Sequence, residues 1–137
     1  MQQQQKTQET FNFVLAVIAG ISLLVGGIGI MNIMLASVLE RIKEIGIRRS
    51  LGAFQSDINS QFLFESIVIS FLGGLVGIFI GVGISLIIAR YADIPTVISA
   101  WSIVVSFGVA FIVGLTFGYY PAQKASKLDP IVALRSD

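Results

Sequence analysis

The sequence predicts an all-α membrane protein: three transmembrane helices, with a short amphipathic cytoplasmic coupling helix between the first and second. Three observations carry that reading. The 137 residues are 55 % hydrophobic and only 12 % charged, against about a quarter charged in an average globular domain. The mean hydropathy is +0.87. The charged residues leave three uncharged runs, at 11–39, 66–89 and 94–123, and each run, as a helix rising about 1.5 Å per residue, is long enough to cross the ~30 Å hydrocarbon core.

Residues 1–10 are polar and open on a glutamine run at 2–5, which predicts a disordered start and not a domain. The first span is expected at about residues 12–38. Its uncharged run of 29 residues exceeds the bilayer, so the helix must tilt or project beyond it on one side. A cleavable signal peptide fits poorly, because the apolar stretch is about twice the usual 7–15 residues and no small-x-small site follows before Glu40. The amphipathic segment is expected at 40–52 and the second span at 62–89. The third is expected at 101–120, with Pro95 breaking its start and Pro121 its end. Trp101, Tyr119 and Tyr120 fit interfacial anchors.

Several function classes are excluded by composition. The chain has no cysteine and no histidine, which removes disulfides, thiol chemistry, and the commonest general base and metal ligand. Gly27-Ile28-Gly29 and Gly81-Val82-Gly83 lack the third glycine of a dinucleotide turn and lie inside apolar runs. No G-x-x-x-x-G-K-[ST] phosphate loop occurs. The chain is therefore not expected to be an enzyme or to hold a cofactor or metal, and a net charge of +1 points to no nucleic acid. Without paired carboxylates or a proton relay in the spans, an autonomous transporter or channel is poorly supported.

Seven basic residues (Arg41, Lys43, Arg48, Arg49, Lys124, Lys127 and Arg135) fall on one side of the membrane, and two (Lys6 and Arg90) on the other. The positive-inside rule then puts residues 40–60 and the C-terminus in the cytoplasm and the N-terminus outside.

Small residues recur every fourth position as Gly73, Gly77 and Gly81 in the second span, with Ser70 and Gly74 beside them, and as Ala110, Gly114 and Gly118 in the third. In lipid, close backbone approach supplies much of the association energy between helices, so both ladders are expected to pack helices. In the charged segment Ile42, Ile45 and Arg49 share one helical face, with Ile47 and Leu51 adjacent and Glu40, Lys43 and Glu44 opposite. Glu44 precedes Arg48 by four, the favourable order for an ion pair. Gly52 suits a C-cap and Asp57 the start of the next element. Alternating acids, paired isoleucines and a glycine stop exceed what topology requires and point to contact with a protein. Glu65 lies about one turn inside the second span, where a carboxylate is costly, within reach of the interface or of Arg48 or Arg49. Asn32 and, nearer the end, Asn12 are suited to hydrogen bonds between helices.

Four segments, in order and spacing, resemble one family. The run from Gly20 through Gly26-Gly27-Ile28-Gly29 to Met31-Asn32-Ile33-Met34 is similar to the second membrane helix of MacB-type, FtsX-like ABC transporter permeases. Residues 40–53 resemble that family's E-R-x-x-E-I-G-x-x-R-x-x-G-A, and Gln61-Phe62-Leu63-Phe64-Glu65 its Q-F-L-x-E. Pro121-Ala122, Ala125, Asp129-Pro130-Ile131 and Ala133-Leu134-Arg135 resemble its P-A-x-x-A and D-P-I-x-A-L-R ending.

The resemblance implies a segment of 11–137 that forms the last three of four membrane helices in a permease of the bacterial cytoplasmic (inner) membrane. It implies homodimerisation, docking on a cytoplasmic ABC ATPase subunit or domain that hydrolyses the ATP, and an adaptor on the periplasmic or extracellular side. Motion driven by ATP would be transmitted to the outside for efflux of a drug, peptide or lipoprotein, a mechanotransmission in which Glu40, Arg41, Lys43, Glu44, Ile45, Gly46, Arg48, Arg49 and Gly52 receive the stroke. The alternatives are an FtsX-like regulator of a cell-wall hydrolase and a stand-alone, self-associating small membrane protein. The first helix, the extracytoplasmic domain and the ATPase of such permeases have no counterpart here, which suggests a fragment, a split-gene product or a remnant.

Overall fold

The computed structural model describes residues 2–92 and 96–129. Met1, Pro95 and the part of the tail motif from Pro130 to Arg135 lie outside the described residues. Four helices follow in order: α1 (Gln2–Glu40), α2 (Ile42–Ser50), α3 (Gln55–Ala92) and α4 (Ala100–Ser126). Helices α1, α3 and α4 are long and apolar enough to cross a membrane, and the chain is a multi-pass membrane protein. With 39, 38 and 27 residues, they run to about 58, 57 and 40 Å, so α1 and α3 extend well beyond the hydrocarbon.

Three boundaries differ from the expectation, each for a local reason. The polar start expected to be disordered is helical from Gln2. Gln, Lys and Glu are good helix formers, and extending a formed helix needs no new nucleus. The Thr7 and Thr10 hydroxyls donate to the carbonyls of Gln3 and Lys6, each at 2.9 Å. Helix α3 begins at Gln55, before the apolar run, because a tight turn launches it. Helix α4 does not stop at Pro121 but continues through it to Ser126. Pro121, Ala122 and Ala125 are buried there, so packing outweighs the one backbone hydrogen bond that proline cannot make.

The helices are laid out around α4, which packs extensively on α3 and on α1, while α1 and α3 meet each other little. Close approach sets this layer. A Cβ added at Gly118 would overlap the Ser66 side chain, and one at Gly114 would overlap Ser70. Ser66 and Ser70 are buried with their hydroxyls bonded to Phe62 and Ser66 carbonyls at 3.0 and 2.8 Å, so they present a small, satisfied surface. Gly27 of α1 faces the Phe117 ring and Gly74 the Phe107 ring, and Phe107 stacks edge-on to Phe71 at 5.6 Å.

The ladder on α3 that meets α4 is thus Ser66, Ser70 and Gly74, one residue and about 100° away from Gly73, Gly77 and Gly81. Added Cβ atoms at those three would meet nothing within 4 Å. Together with Ser102 and Ser106 they line a groove of about 750 Å³ between the splayed helices. The Ser102 and Ser106 hydroxyls donate to carbonyls of their own chain, Ser99 and Ser102, both at 2.7 Å, so the groove is apolar in effect.

The tight packing lies at the other end, the one richer in basic residues. Met34 and Val38 of α1, Ile45 of α2, Ile58 and Phe62 of α3, and Ala122 and Ala125 of α4 form one buried cluster. All four helices are pinned at this junction. Gly118→Leu should destabilise the solubilised protein by about 1–3 kcal/mol through overpacking. Gly77→Leu in the same unfolding assay should leave stability within about 0.5 kcal/mol.

Candidate functional site

The site is built from the segment that turns the chain from α1 into α3. Arg41 is the single non-helical residue between α1 and α2, at φ −106 and ψ 14. Its N–H still donates to the Ser37 and Val38 carbonyls at 3.2 Å, and its own carbonyl accepts from Ile45 N–H at 2.9 Å. The break therefore bends the chain without orphaning backbone groups.

Helix α2 ends as the sequence predicts. Gly52 adopts φ +101, a left-handed conformation that strains any residue with a Cβ. The Gly52 N–H donates to the Arg49 carbonyl at 3.2 Å and the Ala53 N–H to the Arg48 carbonyl at 3.0 Å, the paired bonds of a Schellman turn. Asp57 sits at the third position of α3, not at its cap, and accepts the Phe54 N–H at 3.0 Å. That is the return half of a capping box.

Side-chain rungs tie α2 down. Arg41 Nη1 donates to Glu65 Oε1 at 2.8 Å, and Arg48 Nη1 to Gln61 Oε1 at 2.6 Å. Gln61 and Glu65 are four apart and share one face of α3. Arg48 also pairs with Glu44 across one turn, as the spacing predicts. The sequence places Glu65 within reach of the interface or of Arg48 or Arg49. Arg48 is held by Glu44 and Gln61, and Arg41, freed from the helix path by the break, reaches the carboxylate instead. With Arg41 and Glu65 side chains 43 % and 30 % exposed, such a pair adds only about 0–1 kcal/mol to stability. Between the rungs Ile45 and Gly46 are buried.

The residues singled out from sequence divide by position. Ile45 and Gly46 are buried in the junction, Arg49 is half-buried, and the rung arginines Arg41 and Arg48 are exposed while reaching α3. Glu40, Lys43 and Glu44 lie on the exposed side. The Nε of Arg49 and the Oδ1 of Asn59 are enclosed without a hydrogen-bond partner among the described residues. Asn32 is exposed on α1, about 140° around the helix from the buried Gly27, and Asn12 is exposed as well. No group of His, Cys, Asp or Glu that could hold a metal occurs among the described residues.

Residues not singled out as site candidates complete the surface. Leu51 is 83 % exposed and Phe54 74 %, with Ile47 half-exposed beside them. These apolar side chains stand at the outer rim of the turn, next to the Glu44–Arg48 pair. The signal available was the return of apolar residues, Leu51 and Phe54, directly after the polar run at 48–50, but exposed apolar residues are ordinary in a membrane chain.

Such a pinned amphipathic turn between two spans can be compared with known proteins. A profile of the family described as "FtsX-like permease C-terminal" matches residues 16–130. The chain belongs to that family. Among curated relatives, the macrolide export ATP-binding/permease protein MacB of Bdellovibrio bacteriovorus is 59 % identical over 129 residues, covering 94 % of this chain and 20 % of the relative. The protein of the same name from Azoarcus sp. is 53 % identical over 131 residues, 96 % of this chain and 20 % of the relative. An uncharacterized ABC transporter permease of Bacillus subtilis, YknZ, is 58 % identical over 120 residues, 86 % of this chain and 30 % of the relative. This FtsX-like segment therefore spans about a fifth to a third of the length of these relatives, and it is an ABC permease membrane component.

In this FtsX-like segment the buried and exposed faces of the turn should separate in a stability assay. Ile45→Ala, which opens a cavity in the junction, should cost about 2–5 kcal/mol. Leu51→Ala, on the exposed rim, should change unfolding by less than about 0.5 kcal/mol.

Proposed function

We propose that this chain is the membrane-coupling part of an ABC permease, in which α2 and the turn at 51–54 receive the motion of a cytoplasmic ATPase and pass it to the extracytoplasmic side. The observation that carries this reading is the pairing of faces on one short element. One face is locked to the helix junction by Ile45 and two side-chain rungs. The other presents Ile47, Leu51 and Phe54 beside a charged pair. An element built to transmit force needs a rigid attachment on one side and a specific contact on the other. Apolar anchors within a polar surround are what hot spots of protein contacts consist of.

The relatives' name, ATP-binding/permease protein, couples the two activities and supports an ATPase partner that supplies the hydrolysis this chain has no phosphate loop to perform. In this reading the chain is not itself an enzyme. The basic end is cytoplasmic and the N-terminus lies outside the bacterial cytoplasmic membrane, which the seven-to-two split of basic residues supports. The length of α1 beyond the bilayer suits a stalk toward an adaptor. The exposed Asn32 and the uncovered Gly73, Gly77 and Gly81 leave surface for a second copy in a homodimer. A macrolide or other drug, a peptide or a lipoprotein is the class of cargo that such a stroke would export.

Co-purification from solubilised membranes tests the docking surface. The wild-type chain should retain an ABC ATPase subunit, and Leu51→Ser with Phe54→Ser should lose at least about tenfold of it, as expected for two hot-spot anchors, with the membrane fold intact. Full retention by the double variant would remove the assignment.

A further inference from the structure

We propose that the Arg41–Glu65 ion pair is the strut that carries displacement of α2 into α3, a role that rests on the coupling reading above. Helices α1 and α3 touch each other little, while each packs on α4, and a groove of about 750 Å³ lined by all three helices lies further along. A push on α2 therefore moves α1 through the break at Arg41 and the first turn of α3 through the turn at 51–54, but it reaches the body of α3 only at the junction. There the buried contacts of Ile45, Ile58 and Phe62 are non-directional, and they resist separation far better than they define a direction.

The ion pair supplies the direction. Arg41 occupies the one-residue break where α1 and α2 can bend against each other while every local backbone bond is kept. Its guanidinium contacts Glu65 at 2.8 Å, ten residues, or about 15 Å along the axis, beyond the start of α3 at Gln55. The hinge residue and the strut residue are thus the same. The second rung, Arg48–Gln61 at 2.6 Å, fastens the far end of α2 one turn nearer the start of α3. Two rungs on one α3 face stop α2 from rolling, so a force on the exposed Leu51 and Phe54 becomes a tilt of α3 and not a rotation of α2 alone. The carboxylate is neutralised by its partner, which makes Glu65 a mechanical group and not a cargo or ion ligand.

The chain contains no cysteine, so within it only the introduced positions take a label, and any cysteine elsewhere in the permease or in the ATPase is replaced by serine beforehand. Val14→Cys on α1 and Ile88→Cys on α3 are exposed positions, and spin labels there report the α1–α3 separation in the complete permease with its ATPase in lipid. In the otherwise wild-type protein, ATP with vanadate should change that distance. Arg41→Gln and Glu65→Gln should each abolish at least about half of the change, while ATPase co-purification and the unfolding midpoint stay as in the wild type. The exchange Arg41→Glu with Glu65→Arg should restore the change, since the pair acts through its mutual attraction and not through either sign alone. A full distance change in both single variants overturns the strut. So does a folded, ATPase-bound exchange variant that stays uncoupled. If the wild-type pair of labels shows no ATP-dependent change at all, or no ATPase binds, the coupling reading itself falls and the strut with it.

Discussion

How closely α4 can approach α3 determines most of what this molecule is. Between helices in lipid there is little hydrophobic drive, so association depends on van der Waals contact at short range. Gly114 and Gly118 provide it by lying on Ser70 and Ser66, where a single added carbon would collide. That approach lets Ala122 and Ala125 reach the buried cluster with Met34, Val38, Ile58 and Phe62. The cluster in turn gives Ile45 of the short helix a place to insert. Remove the close approach and the junction that seats α2 opens.

From this follows a molecule that is fixed at one end and open at the other. At the basic end four helices converge on one core. Away from it α1 and α3 diverge around α4, and small residues line the space between them. A body pinned at one end and about 58 Å long along α1 converts a small displacement near the pin into a larger one at the tip. The position of α2 beside the pin, with Ile45 buried, Ile47 exposed and Leu51 and Phe54 exposed on the turn that follows, is where such a displacement would be applied.

The parts legible in the sequence are those controlled by local chemistry. Charge-free runs located the spans, the Glu44–Arg48 spacing the ion pair, and Gly52 the left-handed turn. The ordered motifs located the family. What was not legible depended on tertiary choice. The sequence offers Gly73, Gly77 and Gly81 with Ser70 and Gly74 beside them, and it is Ser66, Ser70 and Gly74 that meet α4, since two interleaved small-residue stripes cannot be ranked without knowing where the partner lies. Pro121 read as a stop because proline removes a backbone donor, but its burial beside Ala122 carries α4 onward. By spacing Glu65 reaches the interface or Arg48 or Arg49, and the one-residue break that releases Arg41 to it has no signature in composition. The polar start read as disorder because its residues have no apolar face, yet they continue a helix already nucleated by the span.

The turn at 51–54 is proposed as the face that meets the ATPase, and photo-cross-linking tests this most directly. A photoreactive residue at position 51 in the intact complex should cross-link to the ATPase subunit, while the same residue at the equally exposed Tyr91, 85 % exposed at the far end of α3, should not. Cross-linking to the ATPase from position 91, or its absence from 51 with the ATPase bound, would contradict the account.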